Sequence, residues 1–283
     1  MQKLKILNEN GESMEFGMHS PYLLSHIEGL GIPQGEIYST QAPGQDGSTF
    51  HDLLLGERDV STRVTIMCKD RKELYFERKK LMSLLMPKQK LTLLYTNDYK
   101  TFRTYACINE GVDFKERINN SGVADISFTC SNPFLLDEKD NVRKIKYFDE
   151  GIKFPLAFKT QFAEAGYSKI VKNDGDVDVG CILEYIGAAE NPKIVNETTG
   201  EFIKVNKTLE TGDKLIINTA RGEETVDIIK KDGTKTNVFN WIDIESTFFK
   251  LKVGENKITY SADNDISKDV SVNVIYSNSY VGV

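Results

Sequence analysis

The run TGDKLIINTARGEETVDIIKKDG, residues 211–233, decides the fold. Lys214 to Ile217 and Thr225 to Ile229 are short segments rich in β-branched residues. Thr211-Gly212-Asp213, Arg221-Gly222 and Lys231-Asp232-Gly233 bound them with residues that enter turns at low steric cost. Outward from this run the same beat continues. Asn173-Asp174-Gly175, Gly187, Asn191-Pro192, Thr199-Gly200 and Gly254-Glu255-Asn256 punctuate further short runs at Ile182 to Ile186, Phe202 to Val205, Phe248 to Leu251 and Lys257 to Ser261. The last run, Val270 to Tyr276, places Val270, Val272, Val274 and Tyr276 on one face, as a half-buried strand requires. Many short strands closely punctuated by turns predict an antiparallel β-sandwich.

The first half reads differently. Leu4 to Leu7 and Met14 to Phe16 flank Asn8-Glu9-Asn10-Gly11-Glu12, whose Asn-Gly step supplies a tight β-hairpin turn. From Gly29 to Gly56 the chain carries Gly31, Pro33, Gly35, Pro43, Gly44, Asp46 and Gly47, so regular structure there must be short. Because Ile37, Tyr38, Phe50 and Leu53-Leu54-Leu55 lie in the same stretch, it is expected to be an ordered extended arm that packs on something, such as another chain. Arg63 to Cys68 alternates as a strand. Asp70 with Glu73 then caps a helix carrying Leu74, Leu81 and Leu85, and Pro87 stops it at Met86. Arg71, Lys72, Glu77, Arg78, Lys79 and Lys80 form its polar face, either solvated or docked on an acidic partner. Leu91 to Tyr95, Arg103 to Ile108, Gly111 to Glu116 and Val123 to Thr129 read as four strands closed by Ser131-Asn132-Pro133-Phe134.

Residues 137–153, DEKDNVRKIKYFDEGIK, hold ten charged side chains in 17 positions and mark the expected connector between a domain at 1–136 and a domain at 154–283. With 36 Lys plus Arg against 42 Asp plus Glu, the net charge of −6 offers no global basic field for nucleic acid or anionic membrane. Neither a signal peptide nor a membrane-spanning run is read. Cys68, Cys107, Cys130 and Cys181 are far apart, lack C-x-x-C spacing, and are expected to be buried free thiols.

Candidate chemistry is sparse. His19, His26 and His51 all lie in the first half, and no G-x-S-x-G elbow accompanies them, so no catalytic residue is assigned. Gly29-Leu30-Gly31-Ile32-Pro33-Gln34-Gly35 fails as a nucleotide loop because Pro33 stands at the helix start and the last glycine is one position late. Asp174, Asp176 and Asp178 alternate like a calcium loop, but Val179 and Tyr185 replace its glycine and glutamate, so a turn is expected instead. Trp241, beside Phe239 and Ile242, is expected to pack in a core at a buried strand or turn. No cofactor and no metal site follow.

Taken in order, these turns and ends resemble the distal tail proteins (Dit) of long-tailed bacteriophages along nearly the whole chain. The likeness rests on the opening hairpin, Ala42-Pro43-Gly44-Gln45-Asp46-Gly47, the strand-helix step ending at Met86-Pro87, and Asn132-Pro133-Phe134. It continues through Asn173-Asp174-Gly175, Ile186-Gly187, Asn191-Pro192 with Ile194, and Asn196-Glu197-Thr198-Thr199-Gly200. Gly212-Asp213 before Leu215-Ile216-Ile217, Leu251 with Gly254-Glu255-Asn256, and Tyr280-Val281-Gly282-Val283 complete it.

The resemblance implies a mainly β, non-enzymatic structural protein at the virion tail tip or baseplate, made in the bacterial host cytoplasm. Its N-terminal domain would form a hexameric ring, with one helix and a belt around the neighbouring subunit. Its C-terminal sandwich would be galectin-like. The implied partners are the tail tube protein, the tail-associated hub or lysin protein, and receptor-binding or baseplate proteins, with no nucleic-acid sequence recognition and no membrane insertion. The subunit-interface arm would comprise Gly35, Ile37, Tyr38, Pro43, Gly44, Asp46, Gly47 and Phe50. The alternative is a carbohydrate-binding module attaching to a host glycan. Against it, the second half lacks histidine and has only Arg143 and Arg221 as arginines, so the sandwich is expected to be a scaffold or docking domain.

Overall fold

The computed structural model describes residues 2–146, 168–263 and 269–283. It divides into two compact units, Met1–Lys139 with Ser279–Val283, and Asp140–Asn278. The chain is mainly β, built from antiparallel sheets, with one α-helix among the described residues.

In the first unit, β1 (Lys3–Asn8) and β2 (Ser13–Phe16) form the expected hairpin, with Leu4 opposite Phe16. Asn8 fixes the turn: its side-chain oxygen accepts from the N–H groups of Asn10 at 3.1 Å and Glu12 at 2.9 Å. Gly11 supplies the left-handed φ of +81°. β3 (Tyr22–Glu28), β4 (Gly35–Thr40), β5 (Thr49–Leu55) and β6 (Arg58–Met67) follow. α1 (Arg71–Leu84) starts where Asp70 Oδ1 accepts from the Glu73 N–H at 2.8 Å, and Glu73 in turn accepts from the Lys69 N–H at 2.8 Å. These two bonds satisfy donors that a helix start leaves open. β7 (Leu91–Thr96), β8 (Thr101–Ile118), β9 (Ser121–Cys130) and β10 (Leu135–Asp137) complete the run.

The main sheet has the order β2-β1-β7-β8-β9-β6-β3. Strand β8 corrects the expectation of two strands at 103–108 and 111–116. It is continuous, pairing with β7 through Thr101–Ala106 and with β9 from Cys107 onward. Register shifts between Ile108 and Val112 absorb Gly111, at φ +80°, as an irregularity within one strand. Leu4, Ile6, Phe16, Val64, Ile66, Leu91, Leu93, Ile126 and Phe128 from the strands share one core with Leu74, Leu81, Leu84 and Leu85 from the helix segment.

The second unit contains β11 (Asn141–Lys146), β12 (Ser168–Asn173), β13 (Ile182–Ile186), β14 (Ala189–Glu190), β15 (Lys193–Asn196) and β16 (Glu201–Lys204). Then come β17 (Thr208–Leu209), β18 (Lys214–Asn218), β19 (Thr225–Ile229), β20 (Lys235–Asn237), β21 (Gly254–Ser261) and β22 (Ser271–Tyr276). One sheet has the order β11-β22-β13-β18-β19-β20, a second β12-β21-β15-β16, and β14 pairs with β17. Leu183, Tyr185, Leu215, Ile217, Val272 and Val274 of the first sheet share a core with Val171, Ile194, Ile203, Ile258 and Tyr260 of the second. Alternation at period two puts these residues on one side of each strand, as in a sandwich.

Phe248 to Leu251, expected as a strand, is not one. Leu251 makes a single bridge with Val179, while side chains supply bonds that a neighbouring strand would make. Asn256 Nδ2 donates to the Lys252 carbonyl at 2.7 Å and Asn173 Nδ2 to the Leu251 carbonyl at 3.1 Å. The charged segment expected as a connector also holds structure. Asn141–Lys146 is β11, paired along its whole length with β22, because an edge strand can turn Arg143, Lys144 and Lys146 to solvent. Residues 147–153 of that segment lie outside the described residues. The chain end, β23 (Ser279–Tyr280), pairs with β10 and so rejoins the first unit.

Candidate functional site

The stretch expected as an ordered extended arm holds a β-hairpin. β4 and β5 pair only with each other, with Ile37 opposite Leu53 and Ser39 opposite Phe50, and His51 accommodated by a register shift. At about 3.3 Å per residue each strand spans about 20 Å. Gly35 begins the hairpin, opposite Leu55 and packed against the Leu53 side chain, which would stand 2.7 Å from a Cβ at that position. Ile37 and Phe50 are each 62% exposed and Leu53 is 45% exposed, so one face of the hairpin offers a row of apolar side chains to solvent. The other face carries Tyr38, whose hydroxyl donates to Glu36 at 3.1 Å, and Thr40, 2.7 Å from the His51 ring. The bond to Glu36 raises the Tyr38 pKa.

Pro43, Gly44, Asp46 and Gly47 stand at the tip, each of them exposed. Gly44 and Gly47 both have positive φ, +82° and +78°. Gln45 organises the tip, a role the sequence reading did not assign. Its side-chain oxygen accepts from the Ala42 N–H at 3.0 Å, and its backbone carbonyl accepts from Gln41 Nε2 at 3.0 Å. The eight arm residues thus fall into two groups, Gly35, Ile37, Tyr38 and Phe50 on the strands and the other four at the tip.

The hairpin root is held by Arg58, also missed by the sequence reading. Its guanidinium is buried and donates to the carbonyls of Gly29 at 2.6 Å, Gly31 at 2.7 Å, Pro133 at 2.7 Å and Val281 at 2.6 Å. Burial lowers its pKa. Both chain segments entering the hairpin are thereby fixed to the sheet by one side chain.

The outward face of α1 is not simply polar. Tyr75 and Met82 stand seven residues apart on one helical face and are 55% and 47% exposed, with Phe76 at 65% beside them; the helix ends at Leu84, short of the expected Met86, which follows it and is 52% exposed. Arg71, Lys72, Lys79 and Lys80 surround this stripe. Arg78 lies over the Phe114 ring, 3.9 Å from its centroid, and 5.9 Å from the centroid of Tyr75. Within residues 69–90 there are eight basic and three acidic side chains; within 29–57 there are four acidic and no Lys or Arg. Alternating apolar and basic positions concealed this stripe in a linear reading.

The remaining candidates resolve into structural roles. His26 Nε2 lies 2.6 Å from Glu28 Oε1 on an exposed strand. Asp174 pairs with Lys172 at 2.6 Å, and Asp178 accepts from the Val253 N–H at 3.0 Å, so both serve turns. Among the described residues no group of three or more His, Cys, Asp and Glu side chains could hold a metal ion. Trp241 lies in a single turn of 3-10 helix and packs against the edge of the core, half-buried and not within it as expected; Phe239 is exposed and stacks on Phe248 at 5.6 Å. Cys68, Cys130 and Cys181 are buried free thiols, and burial pushes Cys181 up to about 12. Cys107 departs from that expectation: it is exposed, because its position on β8 points outward.

Comparison with known proteins follows the same division. A family model for the phage tail protein RIFT-related domain matches residues 9–130. A second, for the C-terminal domain of the siphovirus-type tail component, matches residues 174–280. The crystal structure of the SPP1 Dit protein, described as a paradigm of the hub adsorption apparatus in phages infecting Gram-positive bacteria, superposes with a TM-score of 0.68. Identity is 12%, over 98% of each chain. A chain of the phage P2 baseplate in its activated conformation with Ca gives 0.54 at 13% identity, again over 98% of each chain. The corresponding structure with Sr gives 0.53 at 14% identity and the same coverage. At these identities the likeness is one of fold. No curated protein matches by sequence.

Proposed function

Since this chain belongs to the distal tail protein (Dit) family of siphovirus-type tail components, we propose that its copies close into a ring. That ring would join the tail tube to the tail-associated hub and the host-recognition proteins. Its work is architectural: it positions other proteins at the tail tip and carries out no reaction of its own. The hairpin Gly35–Leu55, with Gly35, Ile37, Tyr38, Pro43, Gly44, Asp46, Gly47 and Phe50, is its subunit-interface arm.

The observation that carries this reading is the uncovered hairpin. A two-stranded hairpin is marginal in water without further packing, yet this one exposes Ile37 and Phe50 to solvent. Such a surface is explained by another chain covering it. Because the hairpin and whatever it grips are different patches, identical copies would associate head to tail, a geometry that closes into a ring when the rotation permits. The family supplies the expectation of six copies.

Light scattering of the purified chain over a range of concentrations tests the ring. The expected mass is near six times 32.0 kDa. A monomer that also fails to assemble when mixed with tube or hub protein would overturn the reading and favour an isolated glycan-binding module.

A further inference from the structure

We propose that the outer face of α1 is the seat for the β4–β5 hairpin of a second copy of this chain. This rests on the ring reading above and names the surface that the arm grips.

Two surfaces in the first unit have more apolar area than solvent favours, and they complement each other. The hairpin presents Ile37, Phe50 and Leu53; the helix presents Tyr75, Phe76 and Met82, and Met86 follows its C-terminal end. Methionine side chains adapt to an incoming surface at low cost, which suits a site that is filled only on assembly. The dimensions agree. A helix of 14 residues is about 21 Å long at 1.5 Å per residue, close to the length of the hairpin strands.

Charge selects the partner. The segment 29–57 carries Glu36, Asp46, Asp52 and Glu57 with no Lys or Arg. Glu36 and Asp52 stand on the Tyr38 face, behind the apolar row, and Asp46 stands at the tip, while Arg71, Lys72, Lys79 and Lys80 rim the helical stripe. Two hairpins facing each other would bring like charges together, as would two helices. Hairpin on helix sets an acidic segment against a basic rim, an attraction that reaches over a Debye length of about 8 Å at physiological salt. The favoured contact therefore joins two different patches, which is what head-to-tail closure needs.

Disulfide trapping between separately purified full-length chains tests the contact and excludes one copy's hairpin folding onto its own helix. Both chains carry Cys107→Ser, which removes the exposed thiol; the other three cysteines are buried. One chain adds Ser39→Cys, on the apolar face of the hairpin, and the other Met82→Cys on the stripe. After mixing and mild oxidation, the mixed disulfide should form at least about tenfold faster than with Ile244→Cys, an exposed control in the second unit, because docking raises the effective concentration of the two thiols. If the chains are oligomeric by light scattering yet trap no faster than the control, the seat is wrong and the ring stands. If they are monomeric, do not trap and still do neither when tube or hub protein is added, both readings fall. Preferential trapping of Met82→Cys by tube or hub protein would also overturn the seat.

Discussion

Arg58 and Val281 are 223 residues apart in the chain and joined in space, the guanidinium Nη2 donating to the Val281 carbonyl at 2.6 Å. The same guanidinium bonds the carbonyls of Gly29, Gly31 and Pro133. It thereby ties the hairpin root, the segment after β9 and the chain end into one clasp. Planar, forked N–H groups suit such divergent acceptors in a way that an ammonium does not. The chain end is part of the first unit because of this bond and the β10–β23 pairing.

Replacing Arg58 should therefore be costly even where the charge is kept. Arg58→Lys leaves buried carbonyls without donors, and a loss of about 2–4 kcal/mol is expected in urea unfolding. Deleting Val281 to Val283 removes one of the Arg58 acceptors and the bond from the Val283 N–H to the Leu30 carbonyl, and should cost about 1–2 kcal/mol. A variant Arg58→Lys as stable as the parent would show that the clasp contributes no net stability.

The two faces of α1 should respond oppositely to truncation. Leu81 is fully buried in the first-unit core, so Leu81→Ala should destabilise by about 2–5 kcal/mol through lost burial and the cavity it leaves. Met82, one residue later and exposed, should change monomer stability by less than about 0.5 kcal/mol when replaced by alanine. Thermal melting at low protein concentration distinguishes them. Equal losses would mean that the stripe is packed within its own chain.

Which parts of this molecule were legible follows from the range of the interactions that fix them. Asp70 and Glu73 cap α1 through bonds spanning three or four residues, and Asn8 with Gly11 closes the first turn within five, so local pattern was sufficient. The limits of β13 and β19 also followed from their own turns. Leu251 misled because its run looks like a strand, whereas its pairing is a single bridge to Val179, with its carbonyl shared by the side chain of Asn173, 78 residues away. Lys193–Asn196 went unread as β15 because its pairing with β16 and β21 is a tertiary fact. The arm was visible through its glycines and prolines, but its regular pairing was not, since the register shift at His51 breaks the simple alternation. Arg58 had no local signal at all; all four acceptors lie at least 27 residues away.

Acid should weaken the second unit through Glu184. Burial alone would raise its pKa, but the bonds from Asn273 at 2.9 Å and Lys214 at 2.5 Å outweigh it and hold the carboxyl below its ordinary 4.5. A carboxyl depressed in the folded state contributes stability that is present above its unfolded pKa and lost as pH falls through the folded value. Glu184→Gln should therefore cost about 1 kcal/mol at neutral pH, and the gap from the parent should close as pH drops below about 4. Melting temperatures of both proteins across the acid range give the result directly. A gap that stayed constant down to low pH would assign the effect of the substitution to packing instead of charge.

The arm tip offers the sharpest separation of folding from assembly. Ala42 to Gly47 lie beyond the last paired residues of the hairpin, and the bonds of Gln45 there are internal to the tip or reach Thr49. Joining Gln41 to Ser48 by a short glycine turn should leave the first-unit core untouched, so the melting temperature should stay within a degree or two of the parent, in keeping with a loss of less than about 0.5 kcal/mol. Assembly should nevertheless weaken, because the shortened hairpin loses Asp46 and the reach of the tip across a neighbour. The expected outcome is a folded monomer at concentrations where the parent is an oligomer. An unchanged oligomer would place the subunit contact on the paired strands alone, and a lowered melting temperature would show that the tip packs against its own chain.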